Sequence, residues 1–297
     1  MKFRFTAKRL LLASSVILIA LVLSGCRIPM DPETNEIIQI TPQTTFQEIM
    51  SSESWFSAIL VWPMAQVLNY LSPYIGVAGA IALLTLVVNA ILMVFTLKST
   101  IATQQMQMLQ PEMEKIQRKY EGKDDEASKM KQAQEMQALY KKYNVNPFSM
   151  ILVTFLQFPI IIAMYQAVQR ATAVKTGTFM GLSLETTVLN GIRSGQWGYL
   201  LIFIVMGICQ YGSMMLPQYL AKKKAEEEAA KHHRKPPEAN NPNKMMQYYM
   251  LIMILVFGLM WPAAMSIYWT IYSLVTVLKT LLTQQIIDNQ KKAEGKS

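Results

Sequence analysis

The chain is short of the residue types that chemistry at a protein site usually requires. It holds two cysteines, Cys26 and Cys209, and two histidines, His232 and His233. One cysteine lies in the N-terminal stretch and the other inside an apolar run, so no disulfide framework or cysteine metal cluster is available. A histidine pair with no thiol or carboxylate ligand at suitable spacing is a weak metal site. No Walker motif or other glycine-rich phosphate loop occurs, which agrees with a protein that consumes no nucleotide. Charge is scarce too: charged residues make up 16% of the chain, against about 25% in an ordinary soluble protein. An enzyme acting within a membrane needs a nucleophile–base pair or metal ligands at depth. The long apolar runs carry no Asp or Glu, so no catalytic residue, metal or cofactor is expected.

What is abundant is apolar sequence. Of 297 residues 52% are apolar, the mean hydropathy is +0.22, and the apolar residues come in blocks, which is the composition of a multi-span membrane protein. The chain opens with Lys2, Arg4, Lys8 and Arg9, then an apolar run from Leu10 to Leu23, then Ser24-Gly25-Cys26. A basic start, a short apolar core and small residues at its end form a cleavable export signal. A Cys directly after them resembles the lipobox of bacterial lipoproteins. Residues 1–25 are therefore expected to be removed, and Cys26 to carry a diacylglyceryl group at the start of the mature chain.

Five apolar blocks follow, at 77–97, 148–168, 199–217, 245–261 and 263–282. Each is near the about 20 residues that cross a hydrocarbon core, and in lipid such segments must be helices. Pro262 separates the last two and marks a sharp turn. Lys and Arg concentrate in 98–147, in 218–244 and in the tail 283–297, whereas 26–76 and 169–198 hold few. By the positive-inside rule the basic segments are cytoplasmic. Cys26 is then outside, as a lipobox demands, and the C-terminus is inside.

The polar pieces are read in the same way. Residues 26–50 form an external linker. In 51–76, Trp55, Phe56, Ile59, Leu60, Trp62, Val67 and Leu68 alternate with polar residues, which predicts an external amphipathic helix interrupted at Pro63. Leu109, Met113, Ile116 and Tyr120, then Met130, Ala133, Met136, Tyr140 and Tyr143, recur at helical spacing around a turn at 121–125, so 98–147 is a cytoplasmic helical hairpin. Met106, Met108, Met130 and Met136 are its candidate contacts for a partner, because the unbranched thioether adapts to many shapes. Residues 169–198 are an external loop. The stretch 218–244 is a basic cytoplasmic loop suited to anionic headgroups or ribosomal RNA.

Polar side chains inside spans are costly and usually face a bundle interior or a wet cavity. Thr85 and Asn89 share a face of the first span near mid-depth. Gln157 lies in the second, Gln210 in the third, and Ser266, Thr270 and Ser273 on one face of the fifth, beside Trp269, Tyr272 and Thr276. Lys279, near the cytoplasmic end of the fifth span, is expected to snorkel outward. The set predicts a shared hydrated concavity, whose candidate contact residues are Thr85, Asn89, Gln157, Gln210, Tyr268, Trp269 and Ser273.

Several short motifs recur in a fixed order: Thr96-Leu97-Lys98, Met108-Leu109-Gln110-Pro111-Glu112, 139–147 (LYKKYNVNP), Gln157-Phe158-Pro159-Ile160, Trp261-Pro262 and Tyr268-Trp269. In this order and at these span lengths, residues 55–287 resemble the YidC/Oxa/Alb family of membrane protein insertases, in the lipoprotein form of Gram-positive-type bacteria. The resemblance implies an all-α membrane protein with a five-transmembrane-helix core around a groove open to the cytoplasm and to lipid but closed outside. It implies an insertase and chaperone whose partners are nascent membrane protein clients and the lipid bilayer. The Sec translocon and the ribosome are further candidate partners; DNA is not one. The family carries a Thr and, one turn later, an Arg on the first core span. Thr85 matches the former, and Asn89 stands at the position of the Arg. Val94, Ala264 and Ser273 replace a Pro, a Gly and an Asn. A groove without the Arg charge is then expected, and selection of clients by groove charge is not. The alternative reading, a small-solute transporter or channel, calls for paired intramembrane ions or a repeated half, and neither is visible.

Replacing Cys26 with Ala is expected to abolish incorporation of labelled palmitate and to leave the leader attached, as read by gel mobility. A Cys26→Ala chain that still takes label would contradict the lipid assignment.

Overall fold

The computed structural model describes residues 28–143, 145–146, 148–231 and 244–293. Cys26, the leader, His232 and His233 lie outside the described residues. In chain order the elements are α1 (Phe46–Ser52), a π turn (Ser57–Val61), α2 (Trp62–Met108), α3 (Gln110–Lys119), α4 (Glu126–Lys142), α5 (Phe148–Arg170), α6 (Thr172–Lys175), β1 (Thr178–Phe179), β2 (Leu182–Ser183), α7 (Val188–Arg193), α8 (Gly198–Lys231), α9 (Lys244–Met260) and α10 (Ala263–Ala293). The protein is an all-α membrane protein in its architecture, the strands forming a single short antiparallel hairpin. Three stretches, Ser57–Met108, Gly198–Lys224 and Ala263–Gln290, are long and apolar enough to cross a membrane, and Gln247–Met260 is a shorter apolar helix.

Helices outlast the apolar blocks. α2 continues past Leu97 to Met108, α8 passes through Pro217 to Lys231, and α10 runs to Ala293. The residues beyond each block are mainly Ala, Lys, Glu and Gln, which favour helix, so leaving the apolar run does not end the ladder. The basic segment expected as a loop from 218 is thus helical as far as Lys231. The segment expected as an external loop holds α6, the β hairpin and α7. Pro63 does not interrupt its helix. It follows a π turn in which the Trp62 N–H donates to the Ser57 carbonyl, and there the ladder is already offset where the proline lacks a donor. The break falls at Gly76, with φ 73° and ψ 161°, a conformation that only glycine adopts at little cost.

The chain divides into two compact units. The first comprises the chain up to Leu84, Phe155–Thr186 and Pro262–Met265. Its described N-terminal stretch is bound to the helices. Ile40 is fully buried and forms a parallel bridge with Ala171. Asn69 donates to the Ile40 carbonyl at 2.7 Å and accepts from the Ala173 N–H at 3.0 Å. Trp62 and Gln66 donate to carbonyls of Thr41 and Thr44. Arg170, at the end of α5, is fully buried. Its Nε donates to the Ile38 carbonyl at 2.9 Å, and its two terminal nitrogens fork onto the Glu53 carboxylate at 2.8 and 2.5 Å. Ala263 and Ala264, just after Pro262, donate to the carbonyls of Thr186 and Leu184.

The second unit comprises Thr85–Thr154, Thr187–Trp261 and Ser266 onward. Here α3 and α4 form the helical hairpin, with Asp125 capping α4 through the Ser128 N–H at 2.9 Å. Lys119 and Tyr120 on one arm both donate to Glu135 on the other, at 2.5 and 2.9 Å, and Tyr143 donates to Glu112 at 2.6 Å. At the hairpin base Met106, Leu109 and Val145 are buried together, with Met113 and Tyr140 against them. Gly258 on α9 faces Met206 on α8 so closely that a Cβ there would lie 2.6 Å from Met206 Cε. The polar extensions of α2, α8 and α10 share one network. Gln104 donates to Gln284 at 2.8 Å, Gln284 to Asp288 at 3.0 Å, and Lys224 also bonds to Asp288.

Breaking one half of a buried ion pair typically costs about 3–5 kcal/mol, whereas replacing both halves by apolar groups is often near neutral. Glu53→Gln is therefore expected to lower the thermal midpoint in detergent clearly more than the joint change Glu53→Leu with Arg170→Met. Equal losses in the two variants would show that the pair is not what holds the segment down.

Candidate functional site

The second unit gathers most of the polar residues expected inside the spans. Thr85 and Asn89 lie one turn apart on α2, and both are enclosed, at 1% and 4% exposure. Farther along the same helix Val94 and Phe95 are bare, at 77% and 78%. Over this stretch the helix turns Thr85 and Asn89 inward and Val94 and Phe95 outward, as the cost of unpaired polar groups in hydrocarbon requires. The Asn89 Nδ2 donates to the Thr85 carbonyl at 2.9 Å. Its Oδ1 accepts from the Lys279 Nζ at 3.3 Å. Lys279 does not snorkel outward as its position near the end of the apolar block suggests; its stem leads the ammonium back to Asn89.

A second link joins α8 to α10. Ser273 donates its hydroxyl to the Gln210 Oε1 at 2.7 Å, and both residues are buried. One turn away, Tyr268, Trp269 and Tyr272 form an aromatic cluster with ring centroids 5.6 to 6.0 Å apart. Tyr268 is 1% exposed, as enclosed as Thr85 and Ser273, and Trp269 is half-buried. The Ser266 hydroxyl is enclosed with no hydrogen-bond partner among the described residues. Gln157 belongs to the first unit. It is half-buried, and its Nε2 is enclosed without a partner among the described residues.

Of the hairpin methionines, Met106 is enclosed in the cluster at the base and is corrected from a contact residue to a core one. Its neighbours Leu109 and Val145 consume the face that the sequence pattern left open. Met108 and Met136 are half-buried, and Met130 is 59% exposed. The Lys119–Glu135–Tyr120 clasp sets the local charge states. The Lys119 ammonium, then the Tyr120 hydroxyl, hold the Glu135 carboxyl below its usual range, and the Glu135 carboxylate pushes Lys119 and Tyr120 up.

Sequence reasoning missed Lys279 as an interior group. The signal was present: it follows Thr276 by three residues, Thr276 follows Ser273 by three, and such spacing keeps neighbours on one side of a helix. Gln104 and Gln284 were missed because their pairing joins residues far apart in the chain.

Long apolar helices whose enclosed faces carry amides, hydroxyls and one ammonium define a helical, multi-pass membrane protein with a polar interior. Residues 68–292 match the family described as 60Kd inner membrane protein, and the chain belongs to that family, which is the YidC/Oxa family. It is 29% identical over 296 residues to membrane protein insertase YidC 2 of Listeria innocua, covering 99% of this chain and 89% of that one. It is 31% identical over 293 residues to membrane protein insertase YidC 2 of Bacillus anthracis, covering 98% and 99%. A shorter match, 41% over 134 residues, links it to membrane protein insertase YidC 1 of Streptococcus pyogenes, covering 45% of this chain and 48% of that relative.

Proposed function

We propose that this protein is a membrane protein insertase and chaperone, working through a hydrated groove lined by Thr85, Asn89, Gln210 and Ser273 within a five-span core. In this reading the N-terminus is outside, held by a lipid on Cys26, and the C-terminus is cytoplasmic. Family membership and the printed names of the relatives support insertion as the activity. The observation that carries the groove is the sidedness of α2, with Thr85 and Asn89 enclosed while Val94 and Phe95 are bare.

The mechanism follows from solvation. Each unpaired polar group of a client that enters bare hydrocarbon costs several kcal/mol. A recess offering hydroxyls and amides holds water, and the client's polar segment waits there while its apolar segment moves into lipid. α9 adds to this. Its 17 residues span about 25 Å as a helix, less than the about 30 Å of a typical hydrocarbon core, so the bilayer thins around it. The free energy comes from the client's own apolar helix entering lipid, with no covalent step and no nucleotide. The end of α2 offers Met108, and α4 offers Met130 and Met136, as the first contact for an arriving client, the ribosome or the Sec translocon.

The test is insertion of a single-span client with a short polar tail into proteoliposomes. Replacing Thr85 and Asn89 together with Leu removes the groove's hydrogen-bonding groups on α2 and keeps it apolar. Insertion is expected to fall about tenfold, the factor for roughly one unsatisfied polar group left in the path. A Leu pair that inserts clients as well as the parent would show that the groove is not the route.

A further inference from the structure

We propose that Lys279 is the charge-bearing, specificity-determining residue of this site, and that its ammonium receives a carboxylate from the polar segment of the client. The proposal rests on the insertase reading above and deepens it by naming the client chemistry.

Two other inward-turned cations of the chain are matched by carboxylates. Arg170 is fully buried and is matched by the Glu53 carboxylate. Lys224, largely shielded, is matched by the Asp288 carboxylate. Lys279 differs. It lies in the stretch Ala263–Gln290, long and apolar enough to cross a membrane, and its hydrogen-bond partner among the described residues is the neutral Oδ1 of Asn89. No described carboxylate lies within 4.0 Å of it, although such pairs are found for Lys119, Lys129, Lys175 and Lys222. An ionisable group inside a span is expensive and is kept where it has work to do.

Geometry sets where the charge stands. Asn89 is near the middle of the apolar run 77–97, so an ammonium 3.3 Å from its Oδ1 stands beside the middle of that run and not at its end. The Asn89 amide is committed at both ends, with Nδ2 on the Thr85 carbonyl. That fixes Oδ1 toward the lysine and holds the ammonium in place. An ammonium carries three donors, and one neutral acceptor leaves two for an anion. Two anions could come: a lipid headgroup phosphate or a carboxylate carried by the client. Headgroups sit at the surface of the bilayer, away from the middle of a span. A client's polar segment passing through the groove brings its carboxylates to the level of Asn89.

The experiment uses the full-length protein in proteoliposomes and two single-span clients whose short translocated tails differ only in carrying two Asp or two Asn residues. The readout is the ratio of Asp-tail to Asn-tail insertion, which cancels any loss of folded protein. The parent is expected to favour the Asp tail about fivefold, the factor given by a partly screened charge pair. Lys279→Gln should bring the ratio near one, Lys279→Arg should keep it, and the exchange Asn89→Lys with Lys279→Asn should restore it. The same ratio in Lys279→Gln as in the parent overturns the proposal while leaving insertion intact. So does a Lys279→Gln effect that vanishes when anionic lipid is omitted, since the lysine would then serve headgroups. A parent that inserts neither client overturns the insertase reading itself.

Discussion

A polar group inside an apolar helix is costly unless it is enclosed and bonded, and in this protein α10 meets that demand at Ser273 and Lys279. Its Ser273 bonds to Gln210 of α8 and its Lys279 to Asn89 of α2, so two other helices are tied to one. Such contacts contribute modestly in membranes, on average about 0.6 kcal/mol each. Their larger effect is on orientation. A helix that keeps an amide or a hydroxyl in contact cannot rotate that face into lipid without losing the partner. The same requirement sorts α2 into an enclosed side with Thr85 and Asn89 and an open side with Val94 and Phe95. Farther along the three helices, the Gln104–Gln284–Asp288–Lys224 network repeats the arrangement among polar extensions.

The first unit solves a different problem with the same chemistry. Arg170 ends an apolar helix and is wholly enclosed. The Glu53 fork and the Ile38 carbonyl satisfy its guanidinium, and doing so pins residues 38–53 to the end of α5. A stretch that reads as a linker is in this way bound to α5 and α2 by backbone and side-chain bonds.

Much of the class was legible because lipid imposes blunt rules. Runs of about 20 apolar residues, positive flanks and a proline turn read directly as helices, and the period of Leu109, Met113, Ile116 and Tyr120 marked an arm of the hairpin. Helix ends were not legible. Nothing in Lys98–Met108 or Lys222–Lys231 opposes helix, so the ladder continues where hydropathy stops. Pro63 misled because its effect depends on the π turn before it, which no local pattern announces. The enclosure of Met106 and Tyr268 depends on residues distant in sequence, which no local pattern shows. Asn89 was read as the loss of a charge. The side chain that brings charge to the same point comes from position 279, on another helix, and only the fold shows it.

The central claim is that water reaches the enclosed polar face of α2 and α10. Single cysteines at positions 89, 273 and 94, in a Cys26→Ala, Cys209→Ser background, report on this through their rate of reaction with a charged maleimide that cannot enter lipid. The account predicts that the Asn89→Cys and Ser273→Cys thiols react readily from the cytoplasmic side and that Val94→Cys stays unmodified. Thiols at 89 and 273 as inert as the one at 94 would contradict it.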